Sequence, residues 1–257
     1  RRMNEFILTG NLPEGTKTAR PFVENQSQNI GSSQTDPTKP LTFELDNGGD
    51  VPIRRITITD VAGEDMDTVE TMSFYEEAIT SADLLVFIAD PLQIGAVQNA
   101  MAGLPLPPKG TDPFLVMKNL NQLLEQTEMS RNPQQKLAVV MSKLDSFEEL
   151  CATPESPVYG AIQPGMSITR DPNSNSKNIY NYFDGSMTEL EILGILGKLG
   201  ISPFIRLVEN SFERENRRFF VVSSLGHARH AAQMDSAGIS SLRISDPIRW
   251  AIHTWGK

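Results

Sequence analysis

The sequence predicts an α/β protein, a mostly parallel sheet flanked by helices with an antiparallel hairpin at its edge. Three observations predict it. The runs Leu84–Ala89, Lys136–Met141 and Arg218–Gly226 each hold a short, nearly continuous apolar stretch, as expected of strands covered on both faces. Segments with apolar residues at helical spacing separate these runs. Upstream of them, Leu41–Leu45 and Ile53–Thr59 alternate apolar and polar residues around a turn-rich Asp46–Asp50, which reads as a hairpin.

The elements follow in order. Residues 1–40 are polar and rich in turn formers, with Asn11-Leu12-Pro13-Glu14-Gly15-Thr16 the clearest turn. In the hairpin, Ile56 and Ile58 share one face, and Thr57 and Thr59 the other. A helical stretch is expected from after Asp65 to about Thr80. A Pro/Gly-rich loop, Gly103–Pro113, precedes a helix over Phe114–Glu128 that places Val116, Leu120, Leu123 and Leu124 on one face. Residues 152–184 read as a long polar insertion, functional or disordered rather than core. A helix is expected over Thr188–Phe212, broken near Gly200–Pro203. Pro247 is well placed in the first turn of a final helix. The whole chain, 1–257, reads as one domain.

Composition narrows the classes of function. Hydrophobic residues make up 39% and charged residues 21%, ordinary for a globular protein. A net charge of −9 argues against a nucleic-acid surface, which needs clustered Lys and Arg. The one cysteine, Cys151, excludes an internal disulfide and fits a cytoplasmic, reducing compartment. No apolar run approaches the roughly 20 residues of a membrane helix. His227, His230 and His253 lack metal-ligand spacing. Trp250 and Trp255 read as core or partner-facing anchors.

Polar residues gather at three predicted strand ends, where open α/β sheets bind ligands. Asp60-Val61-Ala62-Gly63-Glu64 offers a carboxylate suited to Mg²⁺, and a glycine that lets a backbone amide approach a phosphate. Ser142-Lys143-Leu144-Asp145 offers a carboxylate that can accept two hydrogen bonds from guanine. Ser223-Ser224-Leu225-Gly226 offers small residues whose amides can reach a base carbonyl. Singly, each motif also reads as an ordinary strand followed by a polar turn.

In this order the three motifs resemble the P-loop GTPase family. Leu12–Thr18, Asp60–Asp65 and Ala89-Asp90-Pro91 are similar to the bacterial double-GTPase group of translation-factor-type relatives. The resemblance implies a guanine-nucleotide switch that hydrolyses GTP with Mg²⁺. Asp60 and either Thr16 or Thr18 would serve the metal, and Gly63 the γ-phosphate. Lys143 and Asp145, with Ser142, Ser223, Ser224 and Leu225, would hold the base. Glu64 would position water. The Gly-x-x-x-x-Gly-Lys-[Ser/Thr] loop is absent from the chain and is expected upstream of Arg1; Ser142 replaces the family's Asn or Thr. A second reading stays open: a nucleotide-independent scaffold or protein-interaction module built on the same fold. In either reading other proteins are expected as partners.

Overall fold

The structure, a computed structural model, describes residues 41–45, 54–61, 63–100, 110–170, 180–224, 226 and 241–254. Thr16, Thr18, Leu225, His227, His230 and Trp255 lie outside the described residues.

Among the described residues, five strands form two separate sheets. Strands β1 (Leu41–Leu45) and β2 (Arg54–Ile58) pair antiparallel, with Leu41 opposite Ile58 and Phe43 opposite Ile56. Strands β3 (Leu84–Ala89), β4 (Lys136–Met141) and β5 (Arg217–Val221) form a parallel sheet in the order β3-β4-β5. The hairpin was expected at the edge of this sheet. It stands apart instead, because β2 pairs with β1 and not with β3.

The parallel sheet has two unequal faces. Strand β4 is buried at all six positions, as its apolar run requires. One face, bearing Leu137, Val139, Met141, Phe219 and Val221, packs into the main core. After the short helices α1 (Val69–Met72), α2 (Glu76–Ser81) and α3 (Gly95–Ala100), the helices α4 (Pro113–Gln126), α5 (Leu144–Ala152), α6 (Tyr182–Lys198) and α7 (Ser202–Ser211) supply a large share of that core. The other face, with Ala138, Val140 and Phe220, is covered by Tyr180 and by Trp250 of the last helix, Asp246–Thr254. The Phe220 and Trp250 ring centres are 5.6 Å apart. Among the described residues that cover reaches Leu84 of β3 but leaves Val86 and Ile88 42% and 69% exposed.

Local chemistry sets the helix boundaries. Asp112 accepts the Phe114 amide at 2.9 Å, with Pro113 in the first turn, so α4 starts there. Asn181 accepts the Asp184 amide at 3.0 Å and opens α6. The pair α6–α7 breaks at Gly200, whose φ of +78° favours glycine. The stretch between Gly63 and Ser81 is less regular than its periodicity suggests. It alternates 3-10 turns with short α-helices at Val69–Met72 and Glu76–Ser81.

The segment 152–184, expected as a polar insertion, is mostly exposed among its described residues but sends two side chains into the main core. Val158 and Ile168 are fully buried in the main cluster. Glu191 of α6 accepts the amides of Ser167 and Ile168 at 3.0 and 2.8 Å, capping the 3-10 turn Ser167–Thr169. Arg243, 1% exposed, reaches the carboxylates of Asp184 and Asp246 and the Ser167 carbonyl oxygen. Gly185 allows this close packing: a Cβ there would lie 2.0 Å from the Tyr180 hydroxyl.

Candidate functional site

The second and third motifs meet at the carboxyl rim of the parallel sheet. After β4 the Ser142 amide donates to the Ala89 carbonyl at 2.9 Å. The chain then turns at Lys143, whose φ of +57° is uncommon for a residue with a side chain. That turn brings the Leu144 amide to the Val222 carbonyl at 3.0 Å and starts α5. Asp145 therefore lies in the first turn of α5, next to the end of β5.

Four motif side chains on this rim, Ser142, Lys143, Asp145 and Ser223, have partners within the fold. The Lys143 ammonium contacts the Asp90 carboxylate at 2.6 Å, while the other Asp90 oxygen accepts the Leu92 amide at 3.0 Å. Ser142 donates its hydroxyl to the Ala89 carbonyl at 3.1 Å. The Ser223 hydroxyl donates to Asp145 at 2.7 Å and accepts the Gly226 amide at 3.0 Å. The Ser223 backbone also forms an antiparallel bridge with Leu242, so the residue is fully buried. Ser224 is exposed beside it. Asp90 was not singled out as a site residue, although its place directly after β3 was a legible signal.

The first motif does not join this rim through the sheet. Asp60 follows β2 and is carried by the separate hairpin. Partial burial of its carboxyl raises its pKa above the ordinary carboxylate value, opposed by the Val61 amide. Gly63 opens the 3-10 turn Gly63–Met66 together with Glu64. A Cβ on Gly63 would meet nothing within 4 Å, so packing among the described residues does not require glycine there. Among the described residues no cluster of three His, Cys, Asp or Glu side chains is arranged to hold a metal ion.

A second polar cluster, which no motif signals, lies behind β5. Glu189 of α6 is fully buried and accepts a two-pronged pair of bonds from Arg214, each 2.9 Å. It also accepts the Phe219 amide at 3.1 Å and lies 3.6 Å from the Arg218 guanidinium. Arg218 donates to Tyr180 and Ser186 and stacks over the Tyr182 ring at 4.5 Å. Desolvation pushes the Tyr180 phenol up to about 12, opposed by Arg218. These groups satisfy one another, which is how buried charge is tolerated. The cluster is a structural lock between α6 and the sheet.

A recess of about 220 Å³ between Ile94, Asp112, Phe114 and Phe204 falls below the usual range for small-molecule sites, about 300–1,000 Å³. Exposed apolar surface is more prominent. Val86 and Ile88 sit side by side on β3, and Phe183 and Leu190 of α6 are 75% and 60% exposed. Sequence reasoning missed β3's exposure because a continuous apolar run reads as covered on both faces.

No helix among the described residues is long and apolar enough to cross a membrane. No family model matches the chain, and no solved structure matches it. The chain is similar to a protein of Mycolicibacterium smegmatis named as an ESX-1 scaffolding and assembly protein, SaeC. The two are 31% identical over 234 residues, covering 88% of this chain and 58% of that protein. The chain thus spans little more than half the length of this relative. The likeness corrects the resemblance drawn from the strand-end motifs: the relative is named for scaffolding and assembly, not as a P-loop or double GTPase. The description as a GTP-binding, magnesium-dependent hydrolase is corrected with it. The physical reason is that short polar motifs after buried strands recur wherever a parallel sheet ends in turns.

Proposed function

We propose that this chain is a protein-interaction module of the scaffolding kind, which helps to assemble a multiprotein complex rather than turn over a small molecule. One observation carries the reading: large apolar side chains stand exposed on regular elements, with Val86 and Ile88 adjacent on a face of β3 that neighbouring strands bury. Such surface on an ordered scaffold marks contact with another protein. The name of the Mycolicibacterium smegmatis relative supports the reading, and the complex would be of the ESX-1 type that this name specifies. The pairing of Lys143 with Asp90 and of Asp145 with Ser223 supports it too, since these rim groups brace the fold.

The test is cross-linking with mass spectrometry in the native cell, comparing wild type with Ile88→Glu. Ile88 is 69% exposed, so the charge should leave the fold intact. Cross-links from the surface around β3 to a different protein are expected in wild type and should be lost in the variant. A wild-type chain with no cross-link to any other protein would overturn the proposal.

A further inference from the structure

Helix α6 is apolar on two sides. Its inner arc, with Ile192, Ile195 and Leu196, is buried in the core. Surface helices usually turn a charged face outward. The outward arc of α6 instead carries Phe183, Met187, Leu190, Gly194 and Gly197. Phe183, Leu190, Gly194 and Gly197 are exposed and Met187 is half-buried. The spacing of these five alternates four and three residues, which is the seam of a helix that packs against another helix. Glu191, the acidic residue flanking the seam, is turned aside to cap Ser167 and Ile168.

The two glycines need an explanation that the fold does not supply. Glycine weakens a helix interior relative to alanine. A Cβ at Gly194 or Gly197 would meet nothing within 4 Å, so neither is small to admit a neighbour among the described residues. Together they leave a shallow groove at the carboxyl end of the seam, while its bulky side chains stand at the amino end.

We infer that this face of α6 binds a second copy of the chain, the two helices packing antiparallel about a two-fold axis through Leu190. The inference rests on the protein-interaction reading above and names one partner for it. Leu190 lies seven residues from both Phe183 and Gly197. Antiparallel pairing therefore places Phe183 over the partner copy's glycine groove at one end and, by symmetry, the reverse at the other. Met187 faces the groove at Gly194 in the same way, and the two leucines meet at the centre. Parallel pairing would stack bulk on bulk and leave voids between glycines. Charge also selects this face: two chains of net charge −9 repel, and approach most readily over a helix whose one exposed charge, Lys198, is a cation. The seam is about 21 Å long, short for a stable interface, so the dimer should dissociate in the range of roughly 10–100 µM.

Sedimentation velocity across that concentration range, on the purified chain, tests the inference. Wild type should shift from monomer to dimer as concentration rises, and more readily at higher salt. Gly197→Leu fills the groove while favouring the helix, so it should remain folded by circular dichroism yet monomeric. Adding Phe183→Ala to Gly197→Leu makes room again and should restore the dimer. A wild-type chain that stays monomeric throughout, or a Gly197→Leu variant that dimerises like wild type, would overturn the inference. Neither result would touch cross-links to other proteins through β3, so the broader proposal stands or falls separately.

Discussion

Ser223 donates its hydroxyl to Asp145 across 2.7 Å, tying the end of β5 to the first turn of α5. The same hydroxyl accepts the Gly226 amide, and Ser223 is fully buried. Two residues that invite a ligand-binding reading in sequence are thus engaged with each other in the fold.

The first prediction follows from this bond. Ser223→Ala removes one donor and one acceptor from a buried position and should cost about 1–2 kcal/mol of stability. Chemical denaturation of wild type and variant measures the difference. An unchanged midpoint would mean that the bond contributes nothing.

Glu189 supports a second prediction. It is fully buried beside Arg218, which is itself buried, and is held by Arg214. Glu189→Ala leaves the Arg218 charge without its carboxylate and should cost about 3–5 kcal/mol. Arg214 is 58% exposed on its side chain, so Arg214→Ala should cost much less, about 1 kcal/mol. Equal losses from the two variants would show that the pair, rather than the burial of charge, sets the cost.

The side chain that the 152–184 segment buries at Ile168 makes a third. Ile168 is fully buried, and Ile168→Ala should lower stability by about 2–5 kcal/mol. Glu155→Ala, at an exposed position in the same stretch, should change it by no more than about 0.5 kcal/mol. Thermal melts of both variants decide whether the segment is core.

The fourth concerns alkaline pH. The Tyr180 phenol titrates near 10.0 when unfolded and at about 12 in the fold. Its neutral form is favoured by burial, so this contribution is fully present below pH 10. It is lost as pH rises toward 12, because the unfolded chain releases the proton first. Wild type should therefore lose stability more steeply over that window than Tyr180→Phe. Parallel slopes for the two proteins would refute the shift.

Much of the architecture is legible in the residues. Leu84–Ala89 and Lys136–Met141 are strands with the expected bounds. The Leu41–Leu45 hairpin strand and the break at Gly200 are likewise as read. These features depend on neighbours in sequence, through side-chain periodicity and the φ freedom of glycine. The site was less legible. Motif spacing indicated that Asp145 and Ser223 would share a rim, but not that each would bond the other.

What the sequence determined by itself was therefore local: which segments are strands or helices, and where turns interrupt them. Tertiary structure alone decided that the hairpin stands apart from the parallel sheet and that Val158 and Ile168 enter the core. It also left Val86, Ile88, Phe183 and Leu190 facing outward. The reason is physical: an apolar side chain carries the same transfer free energy wherever it lies, and only the packing of distant elements determines which of them are covered.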